Sequence, residues 1–294
     1  MTATAPDVTL SIVSYGTKDL LRACLASIAA TASGVDVQTI VVDNGSTDGS
    51  ADMVAQEFPW VELIRNETNR YFAPAHNQAF QRARGRYVGI LNSDTLLLPD
   101  TLTRMVAFMD AHPDAGASTC QYLRPDRTPL KAEAHNYWRF HSVYYHALCR
   151  NTAGERLYHL AGGRPSQPIR VEQDVVETDV VSDTFLFVRK DVLDRIGGYD
   201  ERLLLYATED DICASVKRAG AKVYYYGGAQ IVHALSASVR RSSPFRIRWI
   251  FALDLMRYHL KSPELTTRVV AVPLLFGAFL IDAAVIVSRG GRWK

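Results

Sequence analysis

Acidic residues follow two apolar runs of this chain at the points where each run ends. Asp43 comes directly after residues 39–42, and Asp94 comes shortly after residues 87–91. If both runs are parallel strands, their carboxyl ends open onto one ligand crevice. One carboxylate could accept hydrogen bonds from a base or a ribose, and the other could bind a divalent cation, which prefers hard oxygen ligands. The chemistry indicated is the binding of a nucleotide diphosphate, and in particular of a nucleotide-sugar.

A third acidic group, Glu209, Asp210 and Asp211, follows Thr208 at the predicted start of a helix. Acids in a first helical turn are stabilised by the helix dipole, so their presence alone requires no function. At about 100° per residue, Glu209 lies above Cys213 on the apolar face, while Asp210 and Asp211 point progressively away. We therefore expect Thr208 to cap the helix and Glu209 to face the protein body, where it could act as a general base.

Each of these signals also has a purely structural interpretation. Asp43 and the residues after it could simply form a turn and a helix cap, and residues 92–94 could form another turn. His233 closes the apolar pair 231–232. A lone histidine is usually a structural residue, although this position at a strand end makes it a possible metal ligand.

The elements that must position these residues alternate between apolar strands and amphipathic helices. Strands are predicted at 9–13, 39–42, 61–64, 87–91 and 115–120, with helices between them and another beginning near Pro99. This repetition predicts an α/β fold with a mostly parallel sheet flanked by helices. Neither a GxGxxG nor a GxxxxGK[ST] motif occurs, which argues against a dehydrogenase and a P-loop enzyme. Residues 122–170 lack periodicity and form an irregular insertion.

The second half of the chain ends in a basic, apolar tail. Residues 239–294 hold 10 Lys and Arg against 3 Asp and Glu, although the whole chain carries a net charge of only +2, which predicts no nucleic-acid partner. Residues 245–260 form a basic amphipathic pattern. The apolar run 269–287 is near the lower limit for spanning a bilayer, and Pro273 and Asp282 interrupt it. We expect in-plane membrane association; the alternative is a helical pair packed on the body.

Four scattered cysteines and the absence of a signal-peptide pattern near Met1 favour a cytoplasmic protein with reduced thiols. We expect a domain at 1–238, with the insertion on its acceptor side, and a membrane-associating tail at 239–294. The protein would then be peripheral on the cytoplasmic face of the inner membrane.

Together, the motifs resemble those of the family-2 inverting glycosyltransferases with a GT-A fold, and in particular the bacterial rhamnosyltransferase-like branch. The resemblance covers roughly residues 7–240. It rests on residues 11–15, 41–48, 69–77, 91–94, 197–201, 206–213 and 231–233.

The resemblance implies a role for most of the residues singled out above. Asp43 would hold the nucleoside of the donor, and Asp94 would bind Mg²⁺ or Mn²⁺, with His233 as a candidate second ligand. The remaining donor-side residues would be Ser14, Tyr15, Asn44, Ser46, Asn69, His76, Asn77, Asn92 and Ser93. Asp183, Thr184 and Asp211 would lie on the acceptor side.

Two departures from the family pattern concern the acidic residues. The branch usually reads Tyr-x-Glu-Asp-x-Asp-Leu-Cys, whereas this chain has Tyr-Ala-Thr-Glu-Asp-Asp-Ile-Cys at 206–213. Anchoring on the flanking Tyr and Cys assigns the base to Glu209, and anchoring on the Glu-Asp pair assigns it to Asp210. Asp183 and Thr184 stand where relatives often have Gly-Ala, which could reshape the acceptor pocket.

The resemblance implies a dTDP- or UDP-sugar donor, with dTDP-rhamnose first. The basic tail favours a glycan on a polyprenyl diphosphate as acceptor in cell-surface polysaccharide synthesis, because such a carrier lies in the membrane. Two alternatives remain open at this point. One is a sugar-nucleotide nucleotidyltransferase, and the other is a non-catalytic membrane-associated protein that binds nucleotide-sugars. The sequence leaves the oligomeric state open.

Overall fold

A computed structural model describes residues 5–130, 134–136, 156, 160, 167–168, 175–234 and 244–288. The strands are β1 (Val8–Ser14), β2 (Val37–Asp43), β3 (Glu62–Arg65), β4 (Tyr87–Asn92), β5 (Thr95–Leu97), β6 (Ala115–Leu123), β7 (Ala134–Asn136), β8 (Gln167–Pro168), β9 (Val175–Glu177), β10 (Val180–Val181), β11 (Phe185–Arg189) and β12 (Lys222–His233). The helices are α1 (Lys18–Thr31), α2 (Ser50–Glu57), α3 (Phe72–Phe80), α4 (Thr101–Ala111), α5 (Lys190–Ile196), α6 (Thr208–Arg218), α7 (Pro244–Leu260) and α8 (Leu265–Ser288).

Across the described residues, nine strands form one central sheet in the order β3-β2-β1-β4-β11-β6-β12-β5, with β9 paired to β12. Strands β1 to β4 are mutually parallel, and β6 is parallel to β12. Strand β11 runs antiparallel between β4 and β6, and β5 runs antiparallel to β12. The predicted α/β class with a mostly parallel sheet is confirmed.

Helices cover both faces of this sheet because each contributes an apolar stripe to one of two cores. Leu21 and Leu25 of α1 are four residues apart and fully buried, and they pack in a cluster that also takes in α2 and α4. On the other face, α3, α5 and α6 contribute a second cluster that includes Ile212 and Val216. The predicted layer arrangement is thus observed, with the carboxyl ends of the parallel strands left uncovered by either cluster.

Three local predictions differ from the structure. The helix expected near Pro99 begins at Thr101, after Asp100 adopts a left-handed conformation with φ 63°. The chain forms an additional short strand, β5, directly after Asp94. The apolar runs 223–226 and 230–232, which the sequence pattern predicts as two separate strands, form the single strand β12 with a register shift between Tyr226 and Gln230, so the interruption is a bulge rather than a break. Most of the irregular insertion at 122–170 lies outside the described residues.

The tail forms a helical hairpin. Helix α7 packs on the body and α8 packs along α7, with Ala252, Leu255, Ala271 and Leu275 buried between them. Pro273 is accommodated inside α8. Among the helices that the structure describes, α8 is long and apolar enough to cross a membrane by length and composition, and little of it is buried.

Candidate active site

The register of the sheet brings the predicted strand-end residues to one edge. Ser14 pairs with Asp43 across β1 and β2, and Val13 pairs with Asn92 across β1 and β4. Strand β11 begins at the same edge because Phe185 pairs with Leu91 in antiparallel register. Residues from four separate strands therefore meet where an α/β sheet offers its ligand crevice.

A cavity of about 390 Å³ opens at this edge, within the range of small-molecule sites. Eight residues predicted for the site line it: Tyr15, Asn44, Asn69, Asn92, Ser93, Asp94, Asp183 and His233. Nine other predicted residues do not line it: Ser14, Asp43, Ser46, His76, Asn77, Thr184, Glu209, Asp210 and Asp211. The structure thus separates residues on the cavity wall from residues that lie behind it or beside it.

Asp94 and His233 meet on this wall. The antiparallel pairing of β5 with β12 sets His233 opposite Thr95, and Nε2 of His233 lies 3.3 Å from Oδ1 of Asp94. The amide of Ala234 donates a hydrogen bond to the carbonyl of Asp94 at 3.0 Å, which fixes the two chain segments together. A carboxylate and an imidazole side by side could both ligate a divalent cation.

Asp43 lies at the end of β2 and is almost fully buried. Its Oδ2 accepts a hydrogen bond from the amide of Ser46 at 3.0 Å. Its Oδ1 is buried and has no hydrogen-bond partner among the described residues. Because a buried acceptor without a partner costs free energy, this oxygen is suited to a donor group supplied by a ligand.

Several other predicted donor-side residues hold the loops around the cavity. The Asn44 amide donates to Oδ1 of Asn69 and to the carbonyl of Tyr71, at 3.0 and 2.9 Å, which fixes the loop before α3. The hydroxyls of Ser14, Thr17 and Ser93 form a hydrogen-bonded chain with spacings of 2.9 Å. These contacts position the cavity wall and leave few free polar atoms on Asn44.

His76 and Asn77 of α3 pack away from the cavity. The His76 ring is fully buried, its Nδ1 is hydrogen-bonded to the Ser11 hydroxyl at 2.7 Å, and burial lowers its pKa to about 3. The Asn77 amide donates to the Tyr199 carbonyl, and its Oδ1 accepts from the Tyr199 amide, both at 2.9 Å. His76 therefore holds the Ser11 side chain, and Asn77 holds the backbone of Tyr199.

The acidic cluster at the start of α6 differs from its sequence prediction. Ala207, with φ 56°, occupies the cap position, and no side chain caps the helix. Thr208 is the first helical residue, and its hydroxyl lies 2.7 Å from Oδ2 of Asp183 and 3.3 Å from Oε2 of Glu209. Thr208 and Asp183 line the cavity, whereas Glu209, which is partly exposed, does not.

The orientation that the sequence predicts for α6 is wrong for Asp210 and Asp211. Asp210 and Asp211 are each 5% exposed instead of pointing into solvent. The reason is that the tail covers the face that a sequence pattern assigns to water. Nζ of Lys261 lies 2.5 Å from Oδ1 of Asp211 and 2.9 Å from Oδ2 of Asp200.

Burial also sets the ionisation of the cluster. Burial raises the pKa of Asp183, and the nearby Glu209 raises it further, against the hydrogen bonds from Thr208 and Tyr199. Burial and then the charge of Asp210 raise the pKa of Glu209. Two carboxyl groups with raised pKa values beside a cavity are typical of acid–base chemistry.

The tail supplies cavity residues that the sequence analysis missed. Arg246, Ile247 and Ile250 of α7 line the cavity, and the Arg246 guanidinium lies 5.7 Å from the ring centre of Tyr71, another lining residue. The basic amphipathic pattern of the tail was visible in the sequence, but nothing in it indicated which body residues it would meet.

Asp254 of α7 was also missed. Its fully buried Oδ2 accepts hydrogen bonds from the amides of Leu204, Leu205 and Tyr206 at 3.1, 2.9 and 3.1 Å. Those residues lead directly into α6, and Leu205 lines the cavity. The tail therefore holds the segment that carries the acidic cluster.

The sequence profile of glycosyl transferase family 2 matches residues 9–197, which is more than half of the chain. The chain belongs to glycosyl transferase family 2. It carries a glycosyltransferase domain with a GT-A fold, and its relatives include proteins of polysaccharide biosynthesis. The family assignment favours sugar transfer over the nucleotidyltransferase alternative.

Two relatives illustrate the range of similarity. The chain is 37% identical over 107 residues to the succinoglycan biosynthesis protein ExoO of Rhizobium meliloti, covering 36% of this chain and 30% of that protein. It is 25% identical over 247 residues to the N-acetylglucosaminyl-diphospho-decaprenol L-rhamnosyltransferase of Mycobacterium tuberculosis, covering 78% of this chain and 76% of that enzyme. The matches to ExoO and to two further relatives span only 30%, 15% and 55% of those proteins.

Two solved structures share the fold. The mannosyltransferase PcManGT of Pyrobaculum calidifontis, in complex with GDP-Man and Mn²⁺, has a TM-score of 0.59 at 18% identity, over 99% of this chain and 77% of that one. Residues 1–349 of S. aureus TarS, in complex with UDP-GlcNAc, have a TM-score of 0.57 at 15% identity, over 94% and 72%. At these identities the likeness shows the fold alone.

Proposed function

We propose that this glycosyltransferase is metal-dependent and inverting, and that it moves a sugar from a nucleotide diphosphate to a hydroxyl of a glycan. The observation that carries the proposal is the meeting of Asp94 and His233 on the cavity wall, beside the strand end that holds Asp43. The same edge thus offers a cation site and a buried acceptor for the nucleoside.

The donor set fits a divalent cation that also binds phosphate oxygens. Within the described residues no cluster of three or more His, Cys, Asp or Glu could enclose a metal. A pair of protein ligands with positions left for phosphate and water is how Mg²⁺ is held at phosphate sites. Asp94 and His233 would be those ligands, and a bound Mg²⁺ or Mn²⁺ would neutralise charge on the leaving diphosphate.

The protein's own groups would do the remaining work. Oδ1 of Asp43 would accept a hydrogen bond from the nucleoside, with Tyr15 on the cavity wall beside the base. Among the described residues that line the cavity, Arg246 carries a permanent positive charge, so it would face the diphosphate. A carboxylate of the acidic cluster, for which the family pattern offers Glu209 or Asp210, would take the proton of the acceptor hydroxyl.

Membrane attachment is part of the proposal because the outer face of α8 is apolar and exposed. Thr267, Ala271, Leu275 and Phe279 face α7 and are buried. Elsewhere on its surface, α8 exposes Leu265, Val269, Val272, Phe276, Leu280 and Ile281. Asp282 lies 3.7 Å from Arg248 on the α7 side, so it does not interrupt the exposed face. This geometry suits a helix lying in the interface on the cytoplasmic side.

The donor and acceptor are proposed from the relatives. A dTDP- or UDP-sugar, with dTDP-rhamnose first, is supported by the rhamnosyltransferase relative. An acceptor linked to a polyprenyl diphosphate is supported by the name of that same enzyme and by the apolar face of α8. Both substrates would meet at the membrane surface.

A thermal-shift comparison of nucleotide-sugars tests donor and metal together. A ligand that binds the native state raises its stability, by about 2.7 kcal/mol at a concentration 100 times Kd. We expect dTDP-rhamnose or a UDP-sugar to raise the melting temperature in the presence of Mn²⁺ and much less in EDTA. Equal shifts with and without the metal would contradict the metal role.

A further inference from the structure

Helix α7 of the tail holds the short segment that leads into α6, residues 204–207. Oδ2 of the fully buried Asp254 accepts hydrogen bonds from three successive amides, those of residues 204–206, at 3.1, 2.9 and 3.1 Å. The ring of Tyr206 lies edge-on to that of Phe251, with 4.9 Å between the ring centres. One helix therefore fixes both the backbone and a side chain of this segment.

Ala207, the last residue before α6, has a conformation that requires such support. Its φ of 56° lies in the left-handed region, which disfavours residues that carry a Cβ and persists only where the surroundings fix it. Ala207 is 4% exposed and belongs to the same buried cluster as Leu255 of α7 and Leu275 of α8. The turn that sets the direction of α6 is therefore packed against the hairpin.

A second contact from the tail fixes the first turn of α6 itself. Nζ of Lys261, directly after α7, lies 2.5 Å from Oδ1 of Asp211 and 2.9 Å from Oδ2 of Asp200. Glu209 and Asp210 lie in the chain between this ion pair and the amides that Asp254 accepts. Contacts from the tail thus flank the acidic motif on both sides.

The segment held in this way also forms part of the cavity wall. Leu205 and Thr208 line the cavity, and Ile247 and Ile250 of α7 line it beside them. The position of the acidic motif relative to the cavity therefore follows from how α7 holds the segment before it.

We propose that Asp254 is a positioning residue for sugar transfer. By holding residues 204–207 it sets where α6 begins, and so it places the carboxylate of the acidic motif that takes the acceptor proton. The inference rests on the proposed function, and it holds whether the base is Glu209 or Asp210.

This role should affect turnover more than donor binding. A general base must lie within hydrogen-bond reach of the proton that it removes, and a misplacement of about 1 Å can cost about 100-fold in rate. The hydrogen bonds that Asp254 accepts from residues 204–206 do not involve the strand ends that carry Asp43 and Asp94. A change at Asp254 therefore leaves the proposed nucleoside and cation sites in place.

The test compares Asp254→Asn and Asp254→Ala in the full chain. Glu264→Gln is the matched control, because this acid lies in the same hairpin but contacts Thr267 instead of the segment before α6. Release of nucleoside diphosphate from dTDP-rhamnose and from UDP-GlcNAc is measured with Mn²⁺ and a bacterial membrane lipid extract, well below the lowest melting temperature of the set. Affinity for dTDP and UDP is measured by calorimetry on the same samples, which also shows that each variant is folded.

We expect kcat to fall about tenfold in Asp254→Asn, which keeps one acceptor oxygen, and about 100-fold in Asp254→Ala. The nucleotide Kd of both variants should stay within threefold of wild type, and Glu264→Gln should match wild type in both measurements. A kcat of Asp254→Ala within threefold of wild type would overturn the inference, as would a loss of nucleotide affinity that parallels the loss of kcat.

A double-variant comparison separates positioning of the base from a general loss of stability. Glu209→Gln and Asp210→Asn are measured singly, and the one with the larger loss of kcat is combined with Asp254→Asn. If Asp254 acts through the base, the double variant should lose at most about threefold more than the base variant alone, because residues that act as a unit are not additive. Losses that multiply would overturn the inference.

The wild-type measurements distinguish this inference from the proposed function. Nucleotide binding by the wild type without any turnover would overturn the inference, because no proton transfer would exist for Asp254 to support. Absence of nucleotide binding by the wild type would instead overturn the proposed function.

Discussion

Nε2 of His233 lies 3.3 Å from Oδ1 of Asp94, although the two residues come from opposite halves of the chain. The contact exists because β5, a three-residue strand directly after Asp94, pairs antiparallel with the last residues of β12. The pairing of β5 with β12 therefore forms the candidate cation site, and backbone hydrogen bonds hold its two ligands in place.

Removing either candidate cation ligand should sharply lower metal-dependent turnover. For Asp94→Asn and His233→Ala we expect turnover to fall about 100-fold or more, because charge neutralisation by a bound cation is worth several kcal/mol of barrier. The measurement is nucleoside diphosphate release with Mn²⁺ or EDTA, and Asp52→Asn on exposed α2 is the matched control. Wild-type metal dependence in both ligand variants would exclude this pair as the site.

The stability of the folded protein should depend on pH through the ionisation of Glu209. Burial, and then the charge of Asp210, raises the pKa of Glu209 in the folded state. A raised carboxyl pKa contributes stability that is fully present below the ordinary value of 4.5 and is lost as pH rises through the raised value. Between pH 5 and pH 8, we expect the melting temperature of wild type to fall by about 3 °C or more relative to that of Glu209→Gln.

The measurement is a series of thermal melts of both proteins across that range. Glu67→Gln, a change of the same type at an exposed position, should leave the wild-type profile unchanged. Parallel profiles for wild type and Glu209→Gln would show that the folded protein does not disfavour the Glu209 carboxylate.

Asp254 should be essential to the segment that leads into α6. Asp254→Ala leaves the amides of residues 204–206 without their acceptor, and each buried donor left unpaired costs about 1–3 kcal/mol. We expect unfolding in urea to show a loss of about 3 kcal/mol, with a smaller loss for Asp254→Asn, which keeps an acceptor oxygen. Glu264→Gln in the same hairpin is the control. Wild-type stability of Asp254→Ala would show that Asp254 does not stabilise the segment 204–206.

The fold and part of the site could be predicted because they depend on local patterns. Alternating strands and helices predict a parallel α/β sheet, and such a sheet brings Asp43 and Asp94 to one edge. The sequence also marked His233 as a strand end, although it could not show that β5 would bring Asp94 beside it.

The rest of the site depends on packing between segments that are distant in the chain. The facing of Asp210 and Asp211 was predicted wrongly because a hydrophobic pattern does not show that a charged face is covered, here by a hairpin carrying Lys261. The position of Arg246 on the cavity wall also depends on where this hairpin packs on the body. Such contacts are fixed by tertiary structure and leave no periodic signal.

The exposed face of α8 should bind lipid. Replacing Leu265, Val269 and Ile281 with Asn removes three exposed apolar side chains, each worth about 1.5–3 kcal/mol when fully buried. We expect the triple variant to lose at least 100-fold in partitioning to vesicles containing anionic lipid, measured by flotation. The control is the double variant Thr266→Ser/Arg268→Gln, which changes exposed polar positions of the same helix and should lower vesicle partitioning much less. Equal flotation of the triple variant and wild type would exclude this face as the attachment surface.

The central claim is tested most directly by following a labelled sugar. The full chain is incubated with dTDP-[¹⁴C]rhamnose or a labelled UDP-sugar and a bacterial membrane lipid extract, with Mn²⁺ or with EDTA. The account predicts label in the lipid fraction with Mn²⁺, inversion at the anomeric carbon, and little label with EDTA or with Asp94→Asn. Transfer that persists in EDTA, or a product with retained configuration, would contradict it.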